Sequence, residues 1–421
     1  LTAFRNTRRK TLYVTPIMPQ RSGGGLAMRA GLVLEALARR FDVQLCVVPV
    51  AGPQEKPSDF VLRHAARVHS LDLERNLDPY FALIDRIKDP EERRQAARRY
   101  PKPFLSRYCT GESAQTLSEW VGEDPLAAVH IMRLYLAPFV EPFLWRQPPV
   151  RPVCVLDLDD DEIQTRQRFA RLYHERGDRQ AAEEESAELE KYVSFAARYL
   201  PAFDRVTLSS AADAIRLGRQ FTDARFAAVP NGYRMPTPKS HHASSNGGAL
   251  RLLFVGTLDY FPNADAAWFL CQDVRDALHR LSDRPTAIDI VGASDGQLAR
   301  HWRAASDIKV HGFVRDLAPL YAAADVAIVP VRAAGGTRIK ILEAFAHRVP
   351  VVSTSIGAEG IDVVDGVHIL IGDNADQLAR ACIRIKENPT LGDSLAEQAA
   401  DLLVKRHSPS CVDAAIGGIY D

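Results

Sequence analysis

Arg338, Lys340 and Glu343 stand within two turns of one another, just after the flexible run Ala333-Ala334-Gly335-Gly336-Thr337. Two cations at the start of a helix are a way to hold a phosphate, because the free N–H groups and the positive end of the dipole already attract anions. The surrounding text, PVRAAGGTRIKILEAFAHRVPVVSTSIGAEG over residues 330–360, supplies such a helix. Asp325 to Val331 reads as a buried strand, and the glycine pair allows a sharp bend. Thr337 is placed to cap a helix over 338–348, and Pro350 leads into a β-branched strand from Val351 to Ser355. The arrangement suits a diphosphate. A plain alternative stands level with it on these residues alone: Lys340 and Glu343 pair on an exposed helix face, worth a few tenths of a kcal/mol.

A second glycine turn, Gly23-Gly24-Gly25, follows a first strand from Thr11 to Thr15 and opens a helix from Leu26 to Arg40 with Leu32, Leu34, Leu37 and Phe41 on its apolar face. Val43 to Val50 reads as the next strand. The turn lets backbone come close to a ligand, or is simply tight. It is not a nicotinamide site. That fingerprint needs G-x-G-x-x-G and an acidic residue ending the second strand, whereas here the loop is GGGLAM and the strand runs into Pro49-Val50-Ala51-Gly52. Arg133 ends the strand from Ala127 to Met132, at the edge where α/β proteins bind ligands, although an ion pair explains it equally well. The acidic run Asp157, Asp159, Asp160, Asp161, Glu162 closes another strand, Pro152 to Leu158. Capping of a long charged helix over 163–197 is favoured there over Mg²⁺ binding, with Asp160 or Glu162 facing a cleft.

The 421 residues exceed what one core organises, and a 46% hydrophobic content suffices for two. The 53 basic and 53 acidic residues cancel, which argues against a chain that lives on nucleic acid. Six scattered cysteines show no metal spacing and no disulfide framework. The basic opening with Arg5 and Arg8-Arg9-Lys10 is followed by too short an apolar patch for a leader, and no apolar run approaches the roughly eighteen residues of a membrane span. A cytoplasmic protein is expected, with membrane contact at most peripheral. Residues 58–125 are charged, partly helical text, as in Asp89 to Arg99, whose charge run suits a solvated helix face. Alternating strands and helices imply parallel sheets, and the Pro-, Ser- and His-rich stretch 235–248, with His241-His242, reads as a linker.

GGTRIKILEAFAHRVPVVSTSIGAEGI is similar to the donor-site segment of the group 1 (family 4) retaining glycosyltransferases. AAVPNG at 227–232 resembles a further block of that family. The resemblance implies an α/β protein of GT-B fold: two Rossmann-like domains with parallel sheets facing an interdomain cleft. Residues 1–240, with a crossing helix at about 406–421, would take the acceptor, and residues 249–405 the nucleotide-sugar donor. Glu343 matches the glutamate that binds the ribose hydroxyls, while the glutamate eight positions earlier, which touches the donor sugar, falls on Gly335. The branch with GGTR-x-K-x-LE in this place is the nearer one.

By the same resemblance Arg338 and Lys340 meet the diphosphate, beside Gly336, Thr337 and Gly23, Gly24 and Gly25. Gly256 and Thr257 form the second domain's first loop, and Phe313 and Val314 lie where backbone reads the base. Arg133 falls near the sugar or acceptor. Relatives often carry a histidine there, whereas here His130 lies inside the strand and Met132 takes the later position. Relatives also carry basic residues in the first loop of the second domain, whereas none occurs between Gly256 and Arg275. The activity so implied is sugar transfer from a nucleotide sugar to a glycan, lipid-linked sugar, protein or small molecule, with retention and with no cofactor, metal or nucleic acid. A nucleotide-sugar epimerase of the same fold and a catalytically silent binding subunit remain as alternatives.

Overall fold

The computed structural model describes residues 8–236, 248–293, 296, 300–302 and 305–420. The chain divides into two compact units, Leu1–Pro230 with Val412–Asp421, and Asn231–Cys411. Most of the 235–248 stretch, His241-His242 included, lies outside the described residues, as does Arg5.

In the first unit seven strands form one sheet: β1 Lys10–Thr15, β2 Asp42–Val47, β3 Arg67–Ser70, β4 Leu126–Met132, β5 Val153–Asp159, β6 Arg205–Leu208 and β7 Phe226–Ala228. Their order is β3-β2-β1-β4-β5-β6-β7, and every pairing is parallel. Helices cover both faces, so the central strands are apolar along their length rather than alternating; Thr11 to Thr15 is buried throughout. The order reverses between β1 and β4. Ligands of open α/β sheets bind outside the carboxyl ends at such a point.

The second unit repeats the scheme with β8 Leu250–Val255, β9 Thr286–Val291, β10 Ile308–Val310, β11 Val326–Val329, β12 Val351–Ser353 and β13 Leu370–Ile371, in the parallel order β10-β9-β8-β11-β12-β13. Here the reversal falls between β8 and β11. The loops beyond these two strands contain Gly256-Thr257 and Val331 to Thr337.

One long helix was expected over 163–197; there are two, Glu162–Glu175 and Arg179–Tyr199. Gly177 breaks them with φ +80, a conformation that glycine enters without a Cβ penalty, and Asp178 caps the second helix by accepting from the Ala181 N–H. The charged text near residue 90 is a helix, Pro90–Arg98, capped by Asp89. At the C-terminus the helix Pro409–Tyr420 places Val412 and Ile416 in the core with Phe41, Val43 and Leu45. Arg40 also donates to Asp413 at 2.7 Å. No helix among the described residues is long and apolar enough to cross a membrane.

Candidate functional site

In the second unit the site is built where β8 ends. The Gly256 N–H continues the ladder to the Val291 carbonyl at 2.8 Å. A Cβ at Gly256 would lie 2.7 Å from Lys340 Nζ and 2.8 Å from Asn263 Cγ, so the missing side chain is what admits both groups. Lys340 donates to Asn263 Oδ1 at 2.6 Å and sits 4.6 Å from the centre of the Phe254 ring. Asn263, in the helix Phe261–Phe269, is itself fixed by donating to the Thr257 carbonyl at 2.9 Å. An ammonium held by an amide and an aromatic face is poorly compensated. Burial, and then the neighbouring Arg338 charge, push Lys340 down to about 7 against the pull of Glu343.

Arg338 differs from its expected placement. The helix is Ile339–Ala346, and Arg338, not Thr337, occupies the capping position, where its side chain makes no cap bond. Its guanidinium turns back under the loop and donates to the carbonyls of Gly335, Gly336 (2.6 Å) and Ile356 (3.2 Å). With 8% of the residue exposed, it braces the loop from below while adding positive charge to it. Thr337 instead donates its hydroxyl to the Gly360 carbonyl at 3.3 Å. Gly336 is buried with φ +65. Arg332 locks the same loop to the helix Phe261–Phe269 through two hydrogen bonds to Asp265, at 2.6 and 2.9 Å.

Glu343 accepts from the Tyr233 hydroxyl at 2.7 Å and from the Tyr321 hydroxyl at 3.2 Å, one on each carboxylate oxygen. Burial pushes its carboxyl up, and the two phenols pull it back. The exposed Lys340–Glu343 pair weighed from sequence therefore does not form, since each side chain is turned to another partner. On the other side of β8, the ends of β9 and β10 close in: the Gly292 N–H donates to the Gly312 carbonyl at 2.9 Å. A Cβ on Gly292 would sit 1.9 Å from the Gly256 carbonyl oxygen. Next along the chain, Phe313 is 78% exposed, while Val314 packs on the core.

In the first unit Gly23 has φ +122, Gly24 is the N-cap of the helix Gly25–Ala38, and a Cβ at Gly24 would meet nothing within 4 Å. Arg133, directly after β4, has φ +72 and donates its N–H to the Asp157 carbonyl at 2.7 Å. Its guanidinium pairs with Asp160, and with Asp159 at 3.4 Å. Asp159 also has positive φ, at +65, so both strand ends hold strained non-glycine residues. Burial, with Asp160 adding to it, pushes Glu162 up to about 8 against the Arg133 charge. The acidic run is thus divided among arginines. Asp161 does the capping, accepting from the Gln164 N–H at 3.0 Å, while Asp157 accepts from Arg29 at 2.7 and 2.9 Å. Among the described residues no three His, Cys, Asp or Glu side chains gather as metal ligands. His130 is a core residue, bonded to the Tyr420 hydroxyl at 2.8 Å and pushed down to about 4 by burial.

The expected residues therefore fall into two groups: Gly256, Thr257, Phe313, Val314, Gly336, Thr337, Arg338, Lys340 and Glu343 beyond the strand ends of the second sheet, and Gly23, Gly24, Gly25 and Arg133 beyond those of the first. Asn263, Arg332, Tyr233, Tyr321 and Arg29 were not expected. The first four are tied to a loop or side chain already singled out, but no charge run or glycine marks Asn263 or the tyrosines in the sequence.

Residues 249–388 match the family model of Glycosyl transferases group 1. Among solved structures, the chain is similar to the sucrose-phosphate synthase of Thermosynechococcus elongatus, with 16% identity, TM-score 0.70 and 98% of both chains covered. It is similar to Anabaena HepE in complex with UDP and glucose, with 15% identity, TM-score 0.61 and coverage of 97% of this chain and 98% of that one. It also resembles a TarM variant of S. aureus in complex with Fondaparinux, alpha-GlcNAc-glycerol and UDP, with 9% identity, TM-score 0.64 and coverage of 98% of this chain and 100% of that one. No curated protein matches it in sequence. Residues 249–388 therefore carry a domain of the group 1 glycosyl transferases, and the chain as a whole shares the GT-B fold of these structures.

Proposed function

We propose that the chain transfers a sugar from a nucleotide-sugar donor to an acceptor, with retention of anomeric configuration and without a metal ion. The observation that carries this is Lys340: a half-buried ammonium beside the bare face of Gly256, held by a neutral amide and suited to an anion. A diphosphate supplies one. HepE has been crystallised with UDP and with UDP-glucose, which supports a nucleotide sugar as the molecule that brings the diphosphate here.

As the bond from the anomeric carbon to the diphosphate oxygen breaks, negative charge grows on the leaving group. Lys340, the Arg338 charge and the N–H groups at the start of the helix Ile339–Ala346 would stabilise it. The acceptor hydroxyl oxygen would form the new bond on the same face of the sugar and pass its proton to the departing diphosphate oxygen, so no enzyme nucleophile is needed. Glu343 would hold the ribose, and Arg133 would orient the sugar or the acceptor.

The test begins with thermal stabilisation by a panel of UDP-, GDP- and ADP-sugars, since a ligand at about a hundred times its dissociation constant adds about 2.7 kcal/mol. Transfer is then followed by NMR of the product anomer with EDTA present. Transfer lost to EDTA and restored by Mg²⁺ or Mn²⁺ would refute the metal-free part, and an inverted anomer the retaining part. Conversion of the sugar with no acceptor present would favour an epimerase, and donor binding without either reaction a silent subunit.

A further inference from the structure

We infer that Tyr233 and Tyr321 are positioning residues that hold the Glu343 carboxylate ready for the vicinal hydroxyls of a ribonucleotide, which makes the site selective for ribo- over deoxyribonucleotides. This rests on the donor-site proposal above. The two phenols reach Glu343 from separate parts of the second unit. Tyr233 belongs to the segment that follows β7, and its backbone N–H donates to the His407 carbonyl at 2.8 Å. The His407 ring is in turn bonded through Nδ1 to the Asn231 carbonyl at 2.9 Å, so Tyr233 stands on a fixed backbone. Tyr321 comes from the helix Ala318–Ala323, is 2% exposed, and stacks face to face on His347 with ring centres 4.5 Å apart.

An ionised carboxylate offers two oxygens and about four lone-pair directions, and it donates nothing. Tyr233 takes one direction on one oxygen, and Tyr321 takes one on the other. One direction is left on each oxygen. That is the pattern two adjacent hydroxyl donors require, as on a ribose with free 2′ and 3′ positions. The phenols also oppose the effect of burial, which by itself favours a protonated carboxyl with one fewer acceptor. A carboxylate on an unsupported rotamer would have to be oriented at the moment of binding, whereas here that entropy is lost on folding.

The experiment is a calorimetric cycle on the full chain. UDP, GDP and ADP are titrated, the tightest is chosen, and its 2′-deoxy counterpart is compared with it on the wild type, Tyr233→Phe and Tyr321→Phe, with inorganic pyrophosphate as a ligand that lacks ribose. The wild type is expected to prefer the ribonucleotide by about tenfold or more. Tyr233→Phe should erase most of that preference by weakening the ribonucleotide alone, leaving the deoxynucleotide and pyrophosphate within about twofold; Tyr321→Phe, with the longer bond, should do so to a smaller degree and serves as the probe if Tyr233→Phe does not fold. Equal weakening of ribo- and deoxynucleotide, with the preference kept, would overturn the inference and leave the donor site standing. A wild type that binds no nucleotide at all would overturn the donor-site proposal and this inference with it.

Discussion

Each unit draws a cation in from solvent near its sheet, Arg29 fully and Lys340 by about half, and they treat it in opposite ways. In the first, Arg29 and Asp157 are 1% and 0% exposed and meet through paired hydrogen bonds, with Thr207 donating to the same carboxylate at 3.1 Å. Burial pushes the Asp157 carboxyl up, yet the Arg29 charge and hydrogen bonds leave it below the usual range. The pair is closed and needs nothing from outside. In the second unit Lys340 rests on an amide oxygen and an aromatic ring, and burial brings it down to about 7. A completed pair is architecture; a half-buried cation left on neutral partners supports the anion site proposed above.

The sharpest way to break this contrast is to remove one half of the closed pair. Arg29→Met should destabilise the chain by about 3–5 kcal/mol, because Asp157 is then a buried, uncompensated charge. Urea unfolding of the variant measures it. The double variant Arg29→Met with Asp157→Leu should recover most of the loss, since apolar groups of similar volume replace a buried pair at little cost. If Arg29→Met alone were as stable as the wild type, the first unit would not depend on this pair.

The open cation predicts the reverse. Lys340→Met removes a charge that the donor-free protein holds only on neutral partners, so its melting temperature should be unchanged or higher. Affinity for a nucleotide sugar should fall about ten- to a hundredfold, the loss of a charged hydrogen bond to phosphate. A variant that loses stability and keeps donor affinity would make Lys340 architectural, like Arg29.

The same contrast explains what was legible in the sequence. Strands and their carboxyl-end loops stood out because parallel strands covered on both faces are written as apolar runs ended by glycine or charge. Arg338, Lys340 and Glu343 stood out because they follow such an end within a few residues. Arg29 did not, since on a helix it looks like any solvated residue and its partner is 128 positions away. Asn263, Tyr233 and Tyr321 are neutral, and what gives them a role is a side chain brought to them by the fold. Tyr233 meets Glu343 across 110 positions, a distance over which local pattern says nothing. The misplaced cap at Thr337 has a local cause: the Thr337 hydroxyl is taken by the Gly360 carbonyl, and the helix begins one residue later, after Arg338, whose guanidinium holds the carbonyls of the glycine turn.

The smallest expected effect is on pH, and it refines the role of Lys340 most closely. In the donor-free protein this ammonium has its pKa near 7, set first by burial and then by Arg338, with Glu343 opposing both. A bound diphosphate must raise it, because an adjacent dianion favours the charged form. Linkage gives the sign. Below pH 7 the lysine is already charged and donor affinity is at its plateau; above pH 7 binding must also take up a proton, so affinity falls by at most about tenfold per pH unit until the bound-state pKa is passed. A nucleotide sugar is the right probe, because its esterified diphosphate does not titrate in this range, whereas a free nucleoside diphosphate does. Calorimetry in two buffers of different ionisation enthalpy should show net proton uptake near pH 7.5 that disappears in Lys340→Arg, whose side chain stays charged throughout. Donor affinity in the wild type that stayed flat from pH 6.5 to 8.5, with no proton uptake, would show that Lys340 does not change its charge on binding, and the contrast with the closed Arg29 pair would then lie in geometry alone.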